Sequence, residues 1–203
     1  MHRPRILSLV GSWLASPTPS FNAATPLVGR GLRDVAGRAF AAGAPSTLPL
    51  GYLTVIARAY EDDEAAASAS HGLLADAGDP YGTPGISVVG RCEVALPAEL
   101  APLDGGLVTW RTIAGPAAVR TGWATGVFRR GHLVWDITVA GADPAALAPV
   151  VFDLGRELTD RRVTEWGLWD LVPEANELPV PMQIDAVFTR QSFPGDVPAA
   201  IAA

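Results

Sequence analysis

Gly122-Trp-Ala-Thr-Gly-Val-Phe-Arg-Arg-Gly-His-Leu-Val-Trp-Asp-Ile-Thr-Val-Ala140 decides the fold. Two runs that alternate apolar and polar residues flank Arg130-Gly131, the pattern of a β-hairpin. A two-residue turn there sets Phe128 opposite Leu133, Gly126 opposite Trp135 and Ala124 opposite Ile137. An indole across from a glycine covers exposed backbone, so this face reads as core. Trp123, Thr125, Val127, Val134, Asp136 and Thr138 make the other face, a mixed surface on which Asp136 is expected outside the core.

Outward from the hairpin, Ile86–Ala95 and Leu107–Ile113 read as further strands with no helix between them. Consecutive strands with short connections pair antiparallel. Residues 51–60 alternate too, with bulk on both faces, which marks a central strand. A helix is predicted over 63–77, entered through the acidic Glu61-Asp-Asp-Glu64, and another over 144–160, capped by Asp143-Pro144. Pro149 is expected to kink or delay the second. Leu32, Val35, Ala36, Ala39 and Phe40 follow the spacing of a helical stripe and predict a helix over 31–42. Gln183–Arg190 reads as one more strand. The fold class is therefore α+β: an antiparallel sheet of about five or six strands, helices on one face, and a C-terminal arm.

Gly51-Tyr-Leu53 through Asp63-Glu-Ala-Ala66 aligns without gaps with Gly131-His-Leu133 through Asp143-Pro-Ala-Ala146. Both stretches run from strand into helix, which suggests two copies of one β-α unit, 51–78 and 131–160, related by a pseudo-twofold. The domain organisation that follows is an N-terminal segment 1–28, an α+β domain 29–162 and an arm 163–203.

Of 203 residues, 49% are hydrophobic and 18% charged, enough for a packed core and too apolar for a disordered chain. The net charge of −6 leaves no basic surplus to neutralise phosphates, so nucleic acid is not an expected partner. All 15 basic residues are Arg, as coding in a GC-rich bacterial genome produces, and each is a planar fork suited to bidentate pairing. Cys92 is the single cysteine, so no intrachain disulfide forms; in its strand-like run it reads as a small buried thiol. The basic head Met1–Arg5, the apolar run Ile6–Ala15 and Ser16-Pro-Thr-Pro-Ser20 follow the order of a signal peptide, though the run is short and the prolines suit cleavage poorly. No run reaches the ~20 apolar residues of a transmembrane helix.

The strand with its acidic helix entry, followed by "RRGHLVWDITVAG" and a second helix, resembles uncharacterised exported, lipoprotein-like α+β modules of GC-rich bacteria. The segment "LWDLVPEANELP" resembles the leucine-proline lead-in of such modules, although here it follows the module instead of preceding it. The resemblance spans residues 45–180, carries no signature residue and implies an extracytoplasmic setting without implying an activity.

Candidate chemistry is sparse. His2, His71 and His132 are the only histidines, and no Gly-x-Ser-x-Gly elbow occurs. His132 and Asp136 share a strand face but stand ~13 Å apart along it, too far for a dyad. The Glu61–Glu64 cluster lacks the pattern of a calcium loop. No catalytic, cofactor or metal residues are expected. Tryptophan is the informative excess, and Trp123, Trp166, Trp169 and Phe188 are the candidates for an interaction or ligand surface. Trp166 and Trp169 are expected to anchor the arm against the helices, and its strand to complete a sheet edge. These features point to a non-enzymatic structural or interaction protein, a subunit of a larger assembly or a homo-oligomer. A small binding module for an apolar or carbohydrate ligand is the alternative, and a hydrolase without a recognised motif the third.

Overall fold

The hairpin forms as β5 (Val119–Arg130) and β6 (Leu133–Gly141), but its turn is Gly131-His132, not Arg130-Gly131. Gly131 has φ +61°, a conformation that glycine adopts without a Cβ clash. The register moves by two residues, so Phe128 faces Trp135, Gly126 faces Ile137 and Ala124 faces Val139. A shift of two keeps every side chain on its face. Trp135 and Ile137 are accordingly buried, while Leu133 near the turn is half-buried.

The computed structural model describes residues 31–42, 50–77, 86–100, 103–114, 119–164, 166–178 and 182–189. The signal-like head 1–28 and the apolar end 197–203 lie outside these described residues. The remaining elements are β1 (Leu32–Ala41), β2 (Leu50–Tyr60), α1 (Asp63–Ala75), β3 (Ile86–Val94), β4 (Asp104–Ala114), α2 (Pro144–Asp160) and β7 (Gln183–Thr189). The seven strands form one sheet in the order β3-β4-β5-β6-β2-β1-β7, antiparallel throughout. The α+β class with an antiparallel sheet is thus observed.

The helices do not share a face. Helix α2 packs on one side, where Leu147, Val151, Leu154 and Leu158 meet Phe128, Trp135 and Ile137. Helix α1 packs on the other, with Ala66, Ala69 and Leu73 against Ile56, Val127 and Val134. The central strands β2 and β6 are buried on both sides, so each side needs its own cover. The placement also breaks the expected pseudo-twofold. Strands β2 and β6 are antiparallel neighbours with Ile56 opposite Asp136. The twofold that exchanges such neighbours is normal to the sheet and would keep both helices on one face.

Residues 31–42 form β1, not a helix. Paired between β2 and β7, β1 has both faces covered, and a strand buried on both sides loses the alternation that would distinguish it from a helical stripe. Both helix starts behave as their sequences dictate: Asp62 accepts from Ala65 N at 2.8 Å and Asp143 from Ala145 N at 3.2 Å. Pro149 lies on the exposed side of α2, and the helix continues through it. Close approach of α2 depends on bare backbone. A Cβ on Gly155 would stand 2.5 Å from the Phe128 ring, and one on Gly126 would collide with Val151.

Candidate interaction surface

A band of polar side chains lies under α1, at the centre of the sheet. Arg58 of β2 is 0% exposed and Asp136 of β6 2%, with both terminal guanidinium nitrogens 3.4 Å from Asp136 Oδ2. Asp136 is therefore buried, against the sequence expectation, because α1 closes the face that was read as open. Beside the pair, Thr125 and Thr138 share a 2.7 Å hydrogen bond across β5 and β6. The Tyr60 hydroxyl is buried with no hydrogen-bond partner among the described residues. Burial pushes it up to about 12, opposed by the positive charge of Arg58 and reinforced by the negative charge of Asp136. The pair is sealed from solvent, so no solute reaches its carboxylate. Its physical effect is on register: a one-residue slip would turn Asp136 into the apolar core beneath α2.

On the opposite face, Arg38 of β1 holds the arm. Its Nη1 donates to the carbonyls of Val172 at 3.3 Å and Pro173 at 2.9 Å, its Nη2 bonds Glu174 Oε1 at 2.7 Å, and its guanidinium lies 4.9 Å from the Trp169 ring centroid. Only a planar, five-donor fork serves all four partners. Leu168, Leu171 and Val172 enter the core beside it. The arm then runs to Met182, also buried, and β7 adds to the edge of β1, with Ala39 opposite Ala186. The arm is therefore anchored on β1 through Arg38, with Leu168, Leu171 and Val172 in the core cluster that α2 also joins.

Trp166 stands where the arm begins. The turn Gly167–Leu171 that follows it is fixed by Asp170, whose Oδ2 accepts from Thr164 N at 2.6 Å and Thr164 Oγ1 at 2.7 Å. Gly167, at φ +63°, completes the reversal. On this turn the Trp166 indole is 48% exposed, and Val163, three residues earlier, is 49% exposed. Trp169 is half-buried beneath Arg38. Trp123 is 3% exposed on the α1 side, stacked on Trp110 with ring centroids 5.9 Å apart, and donates to Thr112 Oγ1 at 2.9 Å. Phe188 pairs with Gly37 through its backbone. Of the four candidates, Trp166 and Trp169 come together in one turn and Trp123 lies across the sheet from them.

Both sheet edges are defended. Strand β3 carries a bulge between Val89 and Cys92, a left-handed Gly90 at φ +69°, and exposed Arg91 and Glu93. Arg91 also caps the end of α1, donating to Ala77 O at 3.1 Å and Leu74 O at 3.2 Å. Cys92 is exposed on this strand instead of buried, because β3 is an edge with neither face fully covered. Strand β7 has its own irregularity opposite Ala39 and Phe40.

Sequence reasoning missed Arg38, Arg58 and Asp136. Opposite charges in mid-strand on two runs otherwise fit for the interior were the available signal for the last two. The described residues contain no group of three or more His, Cys, Asp or Glu that could hold a metal ion. No helix among them is long and apolar enough to cross a membrane.

No protein-family model and no curated protein matches the chain. Solved structures give distant similarities. The extracellular domain of PknH from Mycobacterium tuberculosis matches with a TM-score of 0.40 and 10% identity, over 68% of this chain and 72% of that one. The protein of unknown function PA94 from Pseudomonas aeruginosa matches with a TM-score of 0.32 and 12% identity, over 65% of this chain and 85% of that one.

Proposed function

We propose that the protein is a non-enzymatic interaction protein, a subunit of an assembly, and that the turn bearing Trp166 is its contact. The carrying observation is the exposed indole on a turn already locked by Asp170 and Thr164. A turn fixed before binding loses little backbone entropy on docking, and tryptophan is a favoured interface anchor. The other described tryptophans are committed elsewhere: Trp110, Trp123 and Trp135 to the interior, Trp169 to Arg38. The sealing of the Arg58–Asp136 pair also speaks against acid-base work on a substrate.

The test is the native mass of the chain and of Trp166→Ala. The reading expects an assembly that Trp166→Ala dissolves into a folded monomer. A wild-type chain that stays monomeric and captures no partner contradicts it. A single exposed indole also suits a sugar ring, so quenching of Trp166 fluorescence by soluble glycans would favour the carbohydrate-binding alternative.

A further inference from the structure

We infer that β7 is a pH-sensitive clasp: the last strand of the arm seats the neutral carboxyl of Asp185 against β1, and ionisation of that group loosens the strand. The inference is independent of the Trp166 contact.

Three observations carry it. First, Asp185 stands at the irregularity of the β1–β7 ladder. Ala39 pairs with Ala186 and Phe40 with Ile184, so Asp185 is the extra residue, with no partner of its own on β1. A bulge bends the strand and re-aims the side chain at that point. Second, Asp185 Oδ2 is shut off from solvent and has no hydrogen-bond partner among the described residues. An ionised carboxylate there gives up water for nothing in return, whereas the neutral carboxyl has no charge to desolvate. Third, no cation offsets that cost. Opposite the bulge β1 presents Ala39 and Phe40. Its Arg38 lies opposite Val187 and is held by Val172, Pro173 and Glu174, while Arg33 and Asp34 precede the paired stretch that begins at Ala36. Strand β7 itself carries no other charged residue. Burial accordingly holds the Asp185 carboxyl above the ordinary 3.8, with no charged group of any element named as adding to or opposing it.

The direction follows from linkage. The docked carboxyl binds its proton more tightly than the released one, so docking is at full strength below the ordinary value of 3.8 and weakens as pH rises through the docked group's range. Between the two ranges release of the strand frees one proton, and the docking equilibrium falls by up to about tenfold per pH unit.

Amide hydrogen exchange of the full chain and of Asp185→Asn tests it, followed from about pH 4 to about pH 8 around the carboxylate range. Rates are read as protection factors, which remove the intrinsic pH dependence of exchange, with β6 as the internal reference. Asparagine keeps the size of the side chain and carries no charge at any of these pH values. The ion pairs of the arm at Glu174 and Glu177 are common to both chains, so the difference between the two profiles belongs to Asp185. The expected result is that protection of the β7 amides in the wild type falls about threefold or more across the range relative to Asp185→Asn. Parallel profiles overturn the inference, as does wild-type protection that rises with pH relative to the variant. Unprotected β7 amides at every pH overturn it too, since no clasp then forms. None of these outcomes touches the Trp166 reading, because both chains keep that turn intact.

Discussion

Replacing Asp136 by Asn removes one charge from the centre of the sheet and leaves the other behind. The Arg58 guanidinium is 0% exposed and bonded by two nitrogens to Asp136 Oδ2. Removing one partner of a buried ion pair costs about 3–5 kcal/mol, because the surviving charge stays desolvated. A domain of this size unfolds in urea with a slope of about 2 kcal/mol per molar, so the midpoint should fall by about 1.5–2.5 M. Arg58→Met with Asp136→Leu removes both charges and keeps the volume. That variant should lie within about 1 kcal/mol of the wild type, or above it. A cycle of the wild type, Arg58→Met, Asp136→Leu and the double variant gives the coupling energy directly. The reasoning fails if Asp136→Asn unfolds within about 0.5 kcal/mol of the wild type. It fails equally if the double variant is as unstable as the two single changes summed.

Tyr60 should ionise near pH 12, readable by ultraviolet difference titration against Tyr60→Phe. The unfolded chain releases this proton from about pH 10, so stability should drop by about 2–3 kcal/mol as pH rises from 10 toward 12, and Tyr60→Phe should flatten the drop. Arg38→Ala should loosen the arm by about 2–3 kcal/mol, seen as faster amide exchange in β7; Arg38→Lys should recover less than half, since an ammonium cannot hold two carbonyls, a carboxylate and a ring together. Gly155→Ala improves helix propensity by about 1 kcal/mol, yet its Cβ would press on the Phe128 ring 2.5 Å away. A net loss of about 1–3 kcal/mol is expected in urea unfolding, and a more stable variant would show that α2 moves outward freely.

The hairpin faces, the central place of β2, both helix starts and the strand in the arm were legible because each rests on local spacing. The hairpin turn was misplaced because Arg130-Gly131 and Gly131-His132 both offer a glycine, and only the left-handed Gly131 at φ +61° separates them. Strand β1 was hidden by its neighbours: with both faces covered, Val35, Ala36, Ala39 and Phe40 are all buried, and that spacing is also helical. Asp136 and Cys92 were misjudged in opposite directions for one reason. Burial depends on which strands are central and which face each helix takes, and no local pattern carries that. Arg38 was invisible because its partners lie more than 130 residues away in the arm. Trp166 was singled out from composition, but its exposure follows from the Asp170–Thr164 lock.

Sedimentation of the purified chain over a wide concentration range, beside Trp166→Ala, tests the central claim most directly. The account predicts reversible association for the wild type and a folded monomer for Trp166→Ala. Association unchanged by the substitution would contradict it.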